Sequence, residues 1–64
     1  MKNKRMKIAR VESDVSQEQL ARIVGVTRQT INLIEAGKYN PSLKLCVDIS
    51  KALNKTLNDL FWEE

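Results

Sequence analysis

The sequence predicts an all-α domain, a compact bundle of four to five short helices that contains a helix-turn-helix unit. Two observations lead to that class. Apolar residues recur at helical spacing along the chain, while strand-like alternation never lasts more than a few residues. Only two glycines and one proline are present, too few turn residues for a β-rich chain of 64 residues. A third observation narrows the class: Gly25 falls between two short helical patterns, leaving a turn of three to four residues between them.

The first helix is expected over Lys4 to Glu12, with Met6, Ala9 and Arg10 turned inward. It should stop near Ser13 and Asp14, where Asp14 can adopt the left-handed conformation. Ser16 and Gln19 have capping-box spacing, and Val15 can staple onto Leu20. The second helix presents Leu20, Ala21 and Val24 and ends around Gly25. Thr27 caps a third helix from Arg28 to about Ala36, whose apolar residues are Ile31 and Ile34 with Leu33 to one side. Gly37 provides a left-handed stop. A fourth helix begins around Pro41 or Ser42, capped by either Asn40 or Ser42. Its inward stripe is Leu43, Leu45, Cys46, Ile49 and Leu53. Thr56 to Asp59 forms one more short turn before Phe61 and Trp62. Residues 1–64 form one domain, with the helix-turn-helix unit at about 16–37.

A chain of this length buries only about 60% of the surface its unfolded form exposes, so added support is expected from outside the monomer. Cys46 is the only cysteine, so no internal disulfide can form. With no histidine either, no metal or cofactor is expected. Cys46 lies within an apolar pattern and reads as a small hydrophobe. No apolar run reaches the roughly 18 residues of a membrane span, and the basic N-terminus lacks a signal-peptide core, so a cytoplasmic setting is expected. Catalysis is not expected. There is no histidine base, no glycine-rich phosphate cradle and no paired-carboxylate site.

The net charge of +3 is unevenly distributed. Lys2, Lys4, Arg5, Lys7 and Arg10 meet no acid within the first ten residues, and residues 22–44 carry four bases against Glu35. Two basic regions suggest a side that faces a polyanion. The third helix supplies the means to read one. Ile31 and Ile34 anchor it inward. Arg28 and Asn32, four residues apart, then share an outer face with Gln29 beside them. Arginine pairs with guanine O6 and N7, asparagine or glutamine with adenine N6 and N7, and Leu33 is placed for a thymine methyl. A polar face alone is usually only solvated; within a two-helix unit it becomes a reading edge. Gln17 opens the second helix beside free backbone N–H groups that can meet a phosphate. Thr27, Thr30, Lys38, Tyr39, Asn40 and Ser42 are further candidate phosphate donors. Tyr39 can equally cover the core edge, and Asn40 can serve the turn. Lys2 and Lys4 either track the DNA backbone or fray into solvent.

The segment SQEQLARIVGVTRQTINLIEAGKYNPSL resembles the Cro/C1-type (XRE) helix-turn-helix family of phage-repressor-like transcriptional regulators. Gln17, Leu20, Ala21, Gly25, Val26, Ile31, Ile34, Glu35, Gly37, Pro41 and Leu43 carry the resemblance. It extends over residues 5–62 and includes DLFW near the end. It implies a lambda-repressor-like fold whose third helix enters the major groove of a double-stranded DNA operator. It also implies an ion pair between Arg10 and Glu35. The sequence departs from the family pattern at Ala9, where a larger aliphatic is common, and at Ile8, which stands in a usually outward position. A rotated or loosely packed first helix is therefore expected. Asp14 replaces a frequent glycine and Cys46 a frequent alanine.

One recognition helix covers few bases, so a homodimer reading a palindrome is expected, with half-sites about 34–36 Å apart. The dimer surface would comprise Val47, Leu57, Leu60, Phe61 and Trp62; the alternative is that Leu57 and Leu60 close the monomer core while Phe61 and Trp62 fold over its edge. Repression is the family expectation. An antitoxin that regulates its own operon is a second reading, and a protein-interaction bundle without DNA a third. No ligand-sensing domain is expected, which leaves signal sensing to a separate regulatory protein partner.

Overall fold

Five helices follow one another in the structure, a computed structural model that describes residues 3–61. They are Lys4–Glu12 (α1), Gln17–Val24 (α2), Arg28–Glu35 (α3), Leu43–Ala52 (α4) and Leu57–Phe61 (α5). No strand occurs among the described residues. Trp62 and the terminal lysine Lys2 lie outside them.

Every helix begins on a side-chain oxygen that accepts an orphan backbone N–H. Asn3 accepts from Met6, Ser16 from Gln19, Thr27 from Thr30 and Ser42 from Leu45. Ser16 and Gln19 form the full capping box, each side chain bonding the other's backbone N–H. Thr56 and Asp59 do the same at α5, and these bonds hold the Asp59 carboxyl below its usual pKa. Of the two caps open for α4, Ser42 is the one used.

The helix ends also share a mechanism. In each of α1 to α4 the chain leaves through one left-handed residue: Asp14 (φ 57°), Gly25 (φ 80°), Gly37 (φ 76°) and Asn54 (φ 57°). The following N–H then reaches back to a carbonyl five residues earlier, Val15 to Arg10, Val26 to Ala21, Lys38 to Leu33 and Lys55 to Ser50, at 2.8–3.1 Å. This is the Schellman arrangement. At Gly25 an added Cβ would meet nothing within 4 Å, so backbone conformation, not space, favours glycine there.

The core is drawn from all five helices: Met6 and Ala9, Leu20 and Ala21, Ile31 and Ile34, Ile49, and Leu60, with Leu53 at the α4 cap. Val15, Val24, Val26, Leu45, Ala52 and Phe61 pack around it. Ala21, 2% exposed, lets α2 lie close against α3, and Val26 fills the angle between them.

Two expectations need correction. The first helix is not rotated: Ala9 is buried and Ile8 is 57% exposed, because Met6, Ala9 and Arg10 already form an inward stripe at helical spacing. On α4, Leu43 is 69% exposed instead of lying in the buried stripe. At about 100° per residue it stands about 200° from Leu45, on the far side of the helix. Leu45 and Cys46 are half-buried, and Ile49 and Leu53 fully buried. Burial pushes the Cys46 thiol pKa up.

Candidate nucleic-acid interface

The two faces of α3 are cleanly divided. Ile31, Ile34 and Glu35 are buried, which leaves Arg28, Gln29 and Asn32 exposed and Leu33 half-buried. No hydrogen bond or ion pair among the described residues engages the Arg28, Gln29 or Asn32 side chain. Three long polar groups therefore project from a helix whose opposite side is fixed. Their donors and acceptors match those that pair with base edges in a major groove.

Glu35 does much of the fixing. Its Oε2 accepts from Arg10 Nε at 2.8 Å and its Oε1 from Arg10 Nη2 at 3.4 Å, so the guanidinium of α1 clamps the carboxylate of α3. Arg10 Nη1 also donates to the Val15 carbonyl at 2.9 Å, tying in the connection that leads to α2. Asn3 N–H donates to the Glu35 carbonyl at 3.0 Å. Every buried polar side-chain atom among the described residues has a partner. Breaking such a pair by removing one member typically costs about 3–5 kcal/mol, because the remaining charge stays buried.

The expected phosphate donors stand on α2, at the start of α3 and in the connection from α3 to α4. Gln17, in the first turn of α2, is half-buried, and its Nε2 donates to Glu35 Oε1 at 3.1 Å. That bond brings the start of α2 against the end of α3, next to the loop that carries Lys38, Tyr39, Asn40 and Ser42. All four of these are exposed, Tyr39 by 46%, so the tyrosine does not close the core. Thr27 and Thr30 face each other at 2.9 Å between hydroxyl oxygens. One hydroxyl hydrogen serves that bond, and the other remains to donate outward. Lys4 and Lys7 are exposed on α1.

The candidate dimer surface divides. Leu60 is 3% exposed and belongs to the monomer core, and Phe61 packs against that core while half-buried. Val47 and Leu57 are half-buried, and Trp62 lies outside the described residues. Spacing could not have revealed the Gln17–Glu35 bond, which joins residues 18 positions apart, or Asn3 as the first cap, since Asn3 precedes any apolar pattern. No helix is long and apolar enough to cross a membrane, and no group of metal-ligating side chains is found among the described residues.

The family described as Helix-turn-helix matches residues 6–60, which spans the core of all five helices. The chain is 50% identical over 64 residues to the uncharacterized HTH-type transcriptional regulator YgzD of Bacillus subtilis (strain 168), covering all of this chain and 96% of that protein. It is 47% identical over 57 residues to an HTH-type transcriptional regulator of Archaeoglobus fulgidus, covering 89% of this chain and 80% of the relative. Among solved structures, the restriction-modification controller protein C.AhdI from Aeromonas hydrophila superposes with a TM-score of 0.83 at 32% identity, over 89% of this chain and 86% of that one. Fold, spacing and exposed α3 face lead to one assignment: the chain belongs to the Cro/C1-type helix-turn-helix family of DNA-binding transcriptional regulators.

Proposed function

We propose that the protein binds a palindromic double-stranded operator as a homodimer and represses transcription by obstructing RNA polymerase there. The observation that carries the reading is the division of α3: Arg28, Gln29 and Asn32 stand exposed and unengaged on a helix locked from behind by Ile31, Ile34 and the Arg10–Glu35 pair. Arg28, Gln29 and Asn32 read base edges, with Leu33 against a thymine methyl. Gln17, Thr27, Thr30, Lys38, Tyr39, Asn40 and Ser42 grip phosphates and set the register. Val47, Leu57, Phe61 and Trp62 form the dimer contact. A twofold pair of recognition helices matches two half-sites one helical turn apart.

Selection of bound duplexes from a randomised pool tests this reading. It should return two inverted copies of a short motif at one fixed spacing. Enrichment of no motif, or binding that is equal for every duplex at all salt concentrations, would contradict it.

The similarity to C.AhdI supports a narrower version, in which the operator controls restriction-modification genes. The selected motif decides this: it should then occur upstream of a methyltransferase or endonuclease gene in the source genome.

A further inference from the structure

Glu35 has one more donor than its burial requires. Arg10 alone reaches both carboxylate oxygens, yet the Gln17 amide also donates to Oε1 at 3.1 Å. Gln17 stands in the first turn of α2. The Ser16 hydroxyl takes the Gln19 N–H there and leaves the Gln17 and Glu18 N–H groups without a partner among the described residues. The neighbouring Glu18 carboxylate is drawn along the helix to Arg22, at 3.1 Å. A primary amide has two N–H groups, and Glu35 engages only one. An unrestrained glutamine surrenders considerable rotamer freedom when a ligand fixes it, whereas one already held surrenders less. Arg10 offsets the charge of Glu35, so the carboxylate can hold Gln17 close to an incoming phosphate without net repulsion.

We propose that Glu35 is a positioning residue for DNA: it holds the Gln17 amide with its second N–H directed at the phosphate that approaches the start of α2. This rests on the reading of Gln17 as a phosphate contact. The buried acid thereby has two roles, anchoring the recognition helix to α1 and presetting a backbone contact on α2.

The test uses the full chain and its selected operator with single phosphates replaced by neutral methylphosphonates. In the wild type, one replacement per half-site should lower affinity roughly tenfold, the size of one hydrogen bond to a charged group. Gln17→Ala should abolish that sensitivity, which identifies the phosphate. Glu35→Leu combined with Arg10→Met removes the pair and the Gln17 acceptor together, an apolar exchange that is often tolerated in folding. This variant should lose sensitivity at that phosphate alone. Glu35→Gln combined with Arg10→Met returns an acceptor and should restore it. If both double variants kept the wild-type profile, or lost sensitivity equally at every phosphate, Glu35 would be structural only and the proposal overturned. The unsubstituted protein gives an independent measure through side-chain amide relaxation. Gln17 should be ordered before DNA is added and Gln29 mobile; equal mobility of the two overturns the proposal. Should the wild type select no operator, it is the reading of the function that fails, whereas a selected operator with an unordered Gln17 sinks only the positioning role.

Discussion

Glu35 is 8% exposed, an unfavourable place for an acid unless it is paired, and Arg10 pairs it through two nitrogens. Glu35→Ala should therefore destabilise the chain by about 3–5 kcal/mol, seen as a lowered urea midpoint, before any change in sequence preference is measurable. The outward residues should behave in the opposite way. Lys38 is exposed, and no hydrogen bond or ion pair among the described residues engages its side chain. Lys38→Ala should leave the urea midpoint within about 0.5 kcal/mol of wild type. It should weaken specific and non-specific DNA binding together and reduce the slope of log affinity against log salt by about 1. The exposed α3 face was legible in the sequence because Ile31 and Ile34 fix the phase of the helix. The Arg10–Glu35 pair followed from the family resemblance, since 25 residues separate its members and no local pattern connects them. The Gln17 contact was not legible at all: it depends on how α2 and α3 meet.

At the scale of the element, helix boundaries are set by small groups with specific geometry. Thr27 and Ser16 were legible as caps because a hydroxyl or amide oxygen ahead of an apolar period has few other roles there. Asp14 and Gly37 were legible as left-handed exits. Asn54 was not, because an asparagine in a polar turn has no signature that separates a left-handed residue from an ordinary loop. Leu43 misled for a different reason. It lies within an apolar cluster of α4, and only the phase set by Leu45, Ile49 and Leu53 shows that it faces away. Gly25 offers a clean test of backbone conformation, since its surroundings would not obstruct a Cβ. Gly25→Ala should cost about 1–2 kcal/mol through the left-handed backbone alone, and Gly25→Asn less, because asparagine tolerates that region. Chemical denaturation of the two variants would check the order.

For the whole molecule, the limiting quantity is the core that 64 residues can form. Leu60 is spent inside the monomer, so a dimer would use the half-buried Leu57, Val47 and Phe61 instead. Leu57→Lys should lower the sedimentation-derived molecular mass toward that of one chain at micromolar concentration while helix content is retained, and weaken operator binding with it. The fold class and element order were readable from sequence because periodicity, caps and glycine stops all agreed. The dimer surface was less so, since an apolar residue near a chain end closes a core or a subunit contact with the same pattern. The central claim is that the exposed edge of α3 reads bases, and it is tested most directly by repeating duplex selection with Arg28→Ala. The motif should lose discrimination at one position in each half-site, by about 1–3 kcal/mol, with every other position unchanged. An unaltered motif, or one weakened evenly along its length, would contradict it.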